Sequence, residues 1–183
     1  MVEIIFESHS TSLDNENHLS SGWNDIALSE LGKRQSVELG ERHKNENFDV
    51  IFCSDLKRSY NTAEIAFANR EFKIIKDTRL RECDYGDLTQ HPSVEVDAEK
   101  PKRIFEPFPN GESYEQVAVR MGNFLRDLLK DYDGKRVMII GSRATQYGLE
   151  HWIKKFSVSD AVIAPWKWQP GWSYVLDSIN LLN

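Results

Sequence analysis

Short runs with strand character take turns along this chain with longer segments whose apolar residues recur at helical spacing, and that alternation constrains the fold more than any other feature. Val2 to Phe6, Phe48 to Cys53, Phe72 to Ile75 and Arg136 to Gly141 read as strands, and Trp172 to Leu176 adds a last one. Between them, Ser29 caps a predicted helix that ends near His43, and Asp55 to Ala68 and Ala144 to Phe156 have helical composition. The clearest helix starts at Ser113, where Ser113 and Gln116 have capping-box spacing and Val117, Met121, Phe124, Leu125, Leu128 and Tyr132 share one face. Strands that alternate with helices pair in parallel through crossovers. The expectation is an α/β fold, a single-domain three-layer sandwich with a mostly parallel central sheet and helices on both faces.

At 183 residues with 40% hydrophobic side chains there is material for one substantial core, and no repeat or flexible linker divides residues 1–183. One stretch breaks the alternation. Asp87 to Asn110 holds four of the six prolines and reads as an irregular excursion, a lid or substrate-facing loop.

Composition also removes whole classes of function. The formal charge is −6 with both signs interspersed, so no basic face is available to track nucleic acid. No apolar run approaches the roughly 18 residues needed to span a bilayer, and no basic leader precedes the first strand. A cytoplasmic protein without membrane partners, monomeric or homodimeric, is expected. Cys53 and Cys83 are too few for a metal cluster or a disulfide framework and read as buried thiols. Neither metal nor cofactor is expected.

Ligands of open α/β sheets gather beyond the carboxyl ends of the strands. Three such places are rich in reactive groups: Glu7 to Asn15 after the first strand, Ser54 to Ser59 after the second, and Gly141 to Thr145 after the strand that begins at Arg136. Leu80 to Gly86 is added to them. Together they offer an imidazole, guanidinium groups, a carboxyl, an amide and several hydroxyls. A neutral imidazole can attack phosphorus, a guanidinium fork can hold two phosphate oxygens, and a protonated carboxyl can serve the leaving alcohol. Taken singly, His9 also reads as a hydrogen-bonded structural residue, Arg58 as a surface helix charge and Glu82 as an ion-pair partner.

Their joint placement resembles the histidine phosphatase, or phosphoglycerate mutase-like, superfamily. Ser8-His9-Ser10-Thr11-Ser12-Leu13-Asp14-Asn15 is similar to its Arg-His-Gly-x-Thr-x-x-Asn signature, with His9 and Asn15 in register. Ser21 to Gly32 resembles its Gly-Trp-x-Asp-x-x-Leu-Ser-x-x-Gly segment, and Ser54 to Ala63 resembles the segment that carries a phosphate-binding arginine, here Arg58. Leu80-Arg81-Glu82, Gly111-Glu112-Ser113 and Val137 to Thr145 complete the series in the family's order. The resemblance implies a two-step reaction on a small phosphorylated substrate without a metal. His9 takes the phosphoryl group, and Glu82 protonates the leaving oxygen and then helps to activate water. Arg58 and Asn15 hold the phosphate oxygens, and Ser21, Gly22 and neighbouring backbone donors complete the cradle. The compact Leu80 to Gly86 segment looks more like the family's phosphatases than its mutases, which favours hydrolysis over isomerisation.

Three positions depart from the family pattern. Ser8 replaces the first signature arginine, Ser142 replaces the second histidine, and Ser10 stands in place of glycine. Loss of one preorganised donor of this kind typically costs about 100 to 1,000-fold in rate. Two readings follow: a phosphomonoesterase weakened by Ser8 and Ser142, with Arg143 or another cation making up lost charge, or a phospho-ligand-binding protein that keeps the fold. Arg143 also has a plain reading as a solvent-facing charge at a helix start, where the dipole opposes a cation unless an anion lies nearby. Trp166, Trp168 and Trp172 suit stacking on a planar ring, a dimer interface or coverage of the core, and core coverage is the expectation.

Overall fold

The computed structural model describes residues 1–177. Five strands form one sheet: β1 (Val2–Ser8), β2 (Val50–Cys53), β3 (Ile74–Lys76), β4 (Arg136–Gly141) and β5 (Trp172–Leu176). Their order is β3-β2-β4-β1-β5, and every pairing is parallel except that of β1 with the edge strand β5. Central strands buried on both faces need continuous apolar sequence, as Val50 to Cys53 and Val137 to Ile140 supply.

Helices α2 (Glu30–Arg42) and α3 (Lys57–Ala66) cover one face. There Leu39, Ala63 and Phe67 pack on Ile51, Met138 and Ile140. On the other face lie α5 (Tyr114–Asp131), α6 (Arg143–Trp152) and α7 (Val158–Ile163), whose Val117, Met121, Phe124, Leu149 and Val162 share a core with Ile4, Phe6, Val137 and Ile139. Alternate residues of β4 thus feed two cores, as a period of two requires. The expected three layers are present.

Several boundaries differ from the sequence reading for visible reasons. Strand β3 starts at Ile74 because Phe72 instead packs edge-on against Phe48 and Phe67. Helix α6 stops before Phe156 because Lys155 takes a left-handed φ of 63°. The polar loop after β1 contains a single helical turn, α1 (Leu13–Glu16), closed by a capping box between Ser12 and Asn15. The excursion from 87 to 110 is less irregular than expected, since it carries helix α4 (Ser93–Glu99). It is stitched to the loop after α1: Gln90 N–H donates to the Ser20 carbonyl at 2.7 Å, Ser93 N–H to His18 at 2.8 Å, and the Gln90 amide to both oxygens of buried Asp14.

Candidate active site

Strands β1 and β4 lie side by side, but the chain leaves β1 toward α2 on one face and β4 toward α6 on the other. Such a divergence opens a crevice at the carboxyl ends of the two strands. Ser8 pairs with Gly141 across it, and the His9 N–H donates to the Gly141 carbonyl at 2.8 Å, so His9 and Ser142 emerge as neighbours. A cavity of about 520 Å³ opens there. Its walls include His9, Glu82, Arg58, Asn15, Ser8, Ser21, Gly22, Ser142 and Arg143, the candidate catalytic and phosphate-binding residues of the sequence.

His9 Nδ1 lies 2.8 Å from the Ser10 carbonyl. A carbonyl only accepts, so Nδ1 carries the hydrogen and the Nε2 lone pair is left free. Burial, aided by the positive field of Arg58, pushes the imidazole pKa down to about 4, against the pull of the Ser10 carbonyl. His9 is therefore neutral near pH 7. Ser10 is accommodated where the family has glycine, because its hydroxyl accepts from Ser36 at 2.9 Å and its N–H donates to Thr62 at 3.0 Å.

Arg58 projects from the first turn of α3 and is 3% exposed. Its guanidinium donates to the Gly22 carbonyl at 2.6 Å and the Asn24 carbonyl at 3.0 Å, which fixes its plane and spends part of its donor set. Burial lowers its pKa, while Glu82, Tyr85, Asp14 and Asp25 work to keep it charged. Gly22 makes this grip possible. It has a φ of 49°, and an added Cβ would lie 3.2 Å from both Tyr85 and Thr89. Asn15 commits its Oδ1 to the N–H and hydroxyl of Ser12, each at 3.0 Å, so only its amide hydrogens can serve an anion.

Glu82 is held through its backbone. Its carbonyl accepts from the Trp23 indole at 2.7 Å and from Arg120 at 3.0 Å, and its Oε1 accepts from the Cys83 N–H at 2.7 Å. Arg120 also donates to the carbonyls of Arg79 and Arg81, and Glu112 grips the far side of its guanidinium at 2.9 and 3.0 Å. Glu112 accepts in addition from the Asp84 N–H at 3.1 Å.

Ser142 is the N-cap of α6, where its N–H donates to Thr145 Oγ1 at 3.0 Å. Arg143 follows, exposed, 3.8 Å from Asp97 and with its guanidinium 5.0 Å from the Trp166 ring centre. Burial works against its charge, but Tyr147, Asp97 and Glu82 hold its pKa above the ordinary value.

Several lining residues escaped the sequence reading. Helix α4 and the residue after it contribute Ser93, Asp97 and Lys100, and α2 contributes Gln35, Glu38 and Arg42. Lys100 is a second cation on the Arg143 side, held by Asp97 at 2.8 Å. Glu7, 1% exposed within β1, accepts from His43 at 2.7 Å and Arg42 at 3.2 Å. A charged residue inside an apolar strand was the one available signal for it. Among the described residues no group of three potential ligands could hold a metal ion.

Residues 4–160 match the sequence model of the histidine phosphatase superfamily (branch 1). The chain belongs to that superfamily. An uncharacterized phosphatase of Bacillus subtilis, PhoE, is 34% identical over 128 residues, covering 70% of this chain and 65% of that protein. Phosphoserine phosphatase 1 of Hydrogenobacter thermophilus is 34% identical over 149 residues, covering 76% of this chain and 70% of that protein. The chain thus spans about two thirds of these relatives. Among solved structures, YhfR of Bacillus stearothermophilus superposes with a TM-score of 0.82 at 22% identity, covering 93% of this chain and 88% of the other. Both of these sequence relatives are named as phosphatases. In this chain, Ser8 and Ser142 stand where the family has a cation or a second histidine, and the cations that line the cavity are Arg42, Arg58, Lys100 and Arg143.

Proposed function

We propose that the protein hydrolyses phosphomonoesters through a phosphohistidine at His9. The observation that carries this reading is the His9 imidazole itself, neutral, with Nδ1–H fixed on a carbonyl and Nε2 free, in one cavity with Arg58 and Glu82. Nε2 attacks phosphorus and the bond to the ester oxygen breaks. Protonated Glu82 gives its proton to that oxygen, and the alcohol leaves. Water then attacks the phosphohistidine, Glu82 takes a proton from it, and inorganic phosphate departs with His9 restored. Arg58, the Asn15 amide and backbone donors around Ser21 and Gly22 hold the non-bridging oxygens.

Ser8 and Ser142 weaken this chemistry. The Arg58 guanidinium is partly spent on two carbonyls, which also supports a second reading, a phospho-ligand-binding protein with little turnover. Hydrolysis of an aryl phosphate from about pH 4 to 8 by this chain, Ser142→His and His9→Ala separates the two. Activity in the first two that is lost in His9→Ala supports the enzyme; no activity above His9→Ala in either supports the binding protein.

A further inference from the structure

The cavity is far larger than a phosphate group requires, and about 520 Å³ falls within the range that holds drug-sized ligands. Two tryptophans are part of its lining. Helix α7 and strand β5 are joined by a segment that places Trp166 and Trp168 in the cavity lining, together with Leu19 and Leu39. Core coverage does not account for both rings, because Trp168 is 52% exposed. Nor is Trp166 loosely placed. The Trp166 indole donates to Gln146 at 2.8 Å, its ring lies 6.1 Å from Trp172 at a 31° tilt, and Trp172 lies 5.6 Å from fully buried Phe6. A line of rings thus runs from the core to the cavity.

Each cavity tryptophan has a guanidinium beside it. Arg143 lies 5.0 Å from the Trp166 ring centre, and Arg42, tethered to Glu7 at 3.2 Å, lies 5.9 Å from that of Trp168. Planar rings and planar cations favour the same kind of guest, a flat π system that stacks on both. An acyclic polyol has no ring face to lay on the tryptophans and gains little from such a wall. A second copy of this chain would have to reach into a concave cavity to cover it.

We infer that Trp166 and Trp168, with Arg42 and Arg143, form a subsite for a planar aromatic ring carried by the alcohol part of the phosphomonoester. The inference rests on the phosphatase reading for the phosphate end of the same cavity. Aryl phosphates and nucleoside monophosphates share this chemistry and differ in how far the ring lies from phosphorus.

The test is calorimetric titration of full-length His9→Ala, which cannot take the phosphoryl group, with phenyl phosphate, adenosine 5′-monophosphate and glycerol 1-phosphate. At least one ring-bearing probe is expected to bind roughly ten-fold tighter than glycerol 1-phosphate, in keeping with the worth of one stacked ring. Whichever of the two shows the larger preference identifies the ring source. That preference is expected to collapse when Trp166→Leu or Trp168→Leu is added and to survive Trp168→Phe. Equal affinities, no binding of either ring-bearing probe, or a preference that outlasts both leucine variants overturns the subsite. So does a dimer that Trp168→Leu dissociates while the preference stays unchanged. Phosphate release by the native chain is followed with the same compounds: release without ring preference removes the subsite and leaves the phosphatase, whereas ring preference without release does the reverse.

Discussion

The Arg120 guanidinium donates to the Glu82 carbonyl at 3.0 Å and so holds the proposed general acid from behind. The same side chain takes the carbonyls of Arg79 and Arg81 and is backed by Glu112, with both members of the pair mostly buried. Arg120 is a positioning residue, and its loss should be read in the leaving group. An alkoxide needs a proton on departure and a nitrophenolate scarcely does. Arg120→Met is expected to reduce hydrolysis of an alkyl phosphate about 10 to 100-fold more than that of p-nitrophenyl phosphate, in the pattern of Glu82→Gln. An equal fall on both substrates would mean that Arg120 only supports the fold.

Arg58 is expected to resist conservative replacement. Its planar fork reaches the Gly22 and Asn24 carbonyls together, which a single ammonium cannot reproduce. Arg58→Lys and Arg58→Met should both lower kcat/KM by about 100-fold or more. Steady-state kinetics in which Arg58→Lys keeps near-native values would remove Arg58 from the phosphate grip.

His9 gives pH dependence a defined sign. Its pKa is about 4 when folded, against an ordinary 6.5, so the unfolded chain binds a proton that the native one refuses between these values. Stability therefore rises with pH across that window, by roughly 3 kcal/mol from this residue, and is unaffected by it above. Melting temperatures from pH 4 to 6.5 should climb less steeply in His9→Ala than in the native chain. The acid limb of kcat/KM should likewise lie near pH 4 rather than 6.5.

His43 acts with the opposite sign. Burial opposes its charge, but hydrogen bonds to Glu7 and Glu46 outweigh burial and raise its pKa. The stabilisation is complete below about 6.5 and is lost as pH rises through the raised value. Glu7→Gln removes the buried carboxylate that pairs with Arg42 and with one nitrogen of His43 and should cost about 3 kcal/mol at pH 6. Denaturant titrations at pH 6 and 9 should show that cost shrinking at the higher pH.

Much of this site was visible in the sequence because its residues sit where strands end. His9 follows β1, Ser142 follows β4, and Arg58 opens the helix after β2, so one rule of α/β sheets collects them. Lys100 and Asp97 were not visible. Helix α4 has no side-chain cap and buries only Val96, which leaves no apolar period to read. Glu7 was named in a motif but not as a wall residue, since its partners Arg42 and His43 lie 35 and 36 positions away. The tryptophans were expected to cover the core. Of Trp166, Trp168 and Trp172, the last does so by packing at a tilt on Phe6, whereas the segment before β5 puts the other two in the cavity lining.

The reaction proposed here stands or falls on a covalent intermediate. Rapid acid-free quenching of the native chain with p-nitrophenyl phosphate, followed by peptide mass spectrometry, should find one phosphoryl group on His9 and none in His9→Ala. Turnover with no phosphohistidine at His9, or turnover that survives His9→Ala, would contradict it.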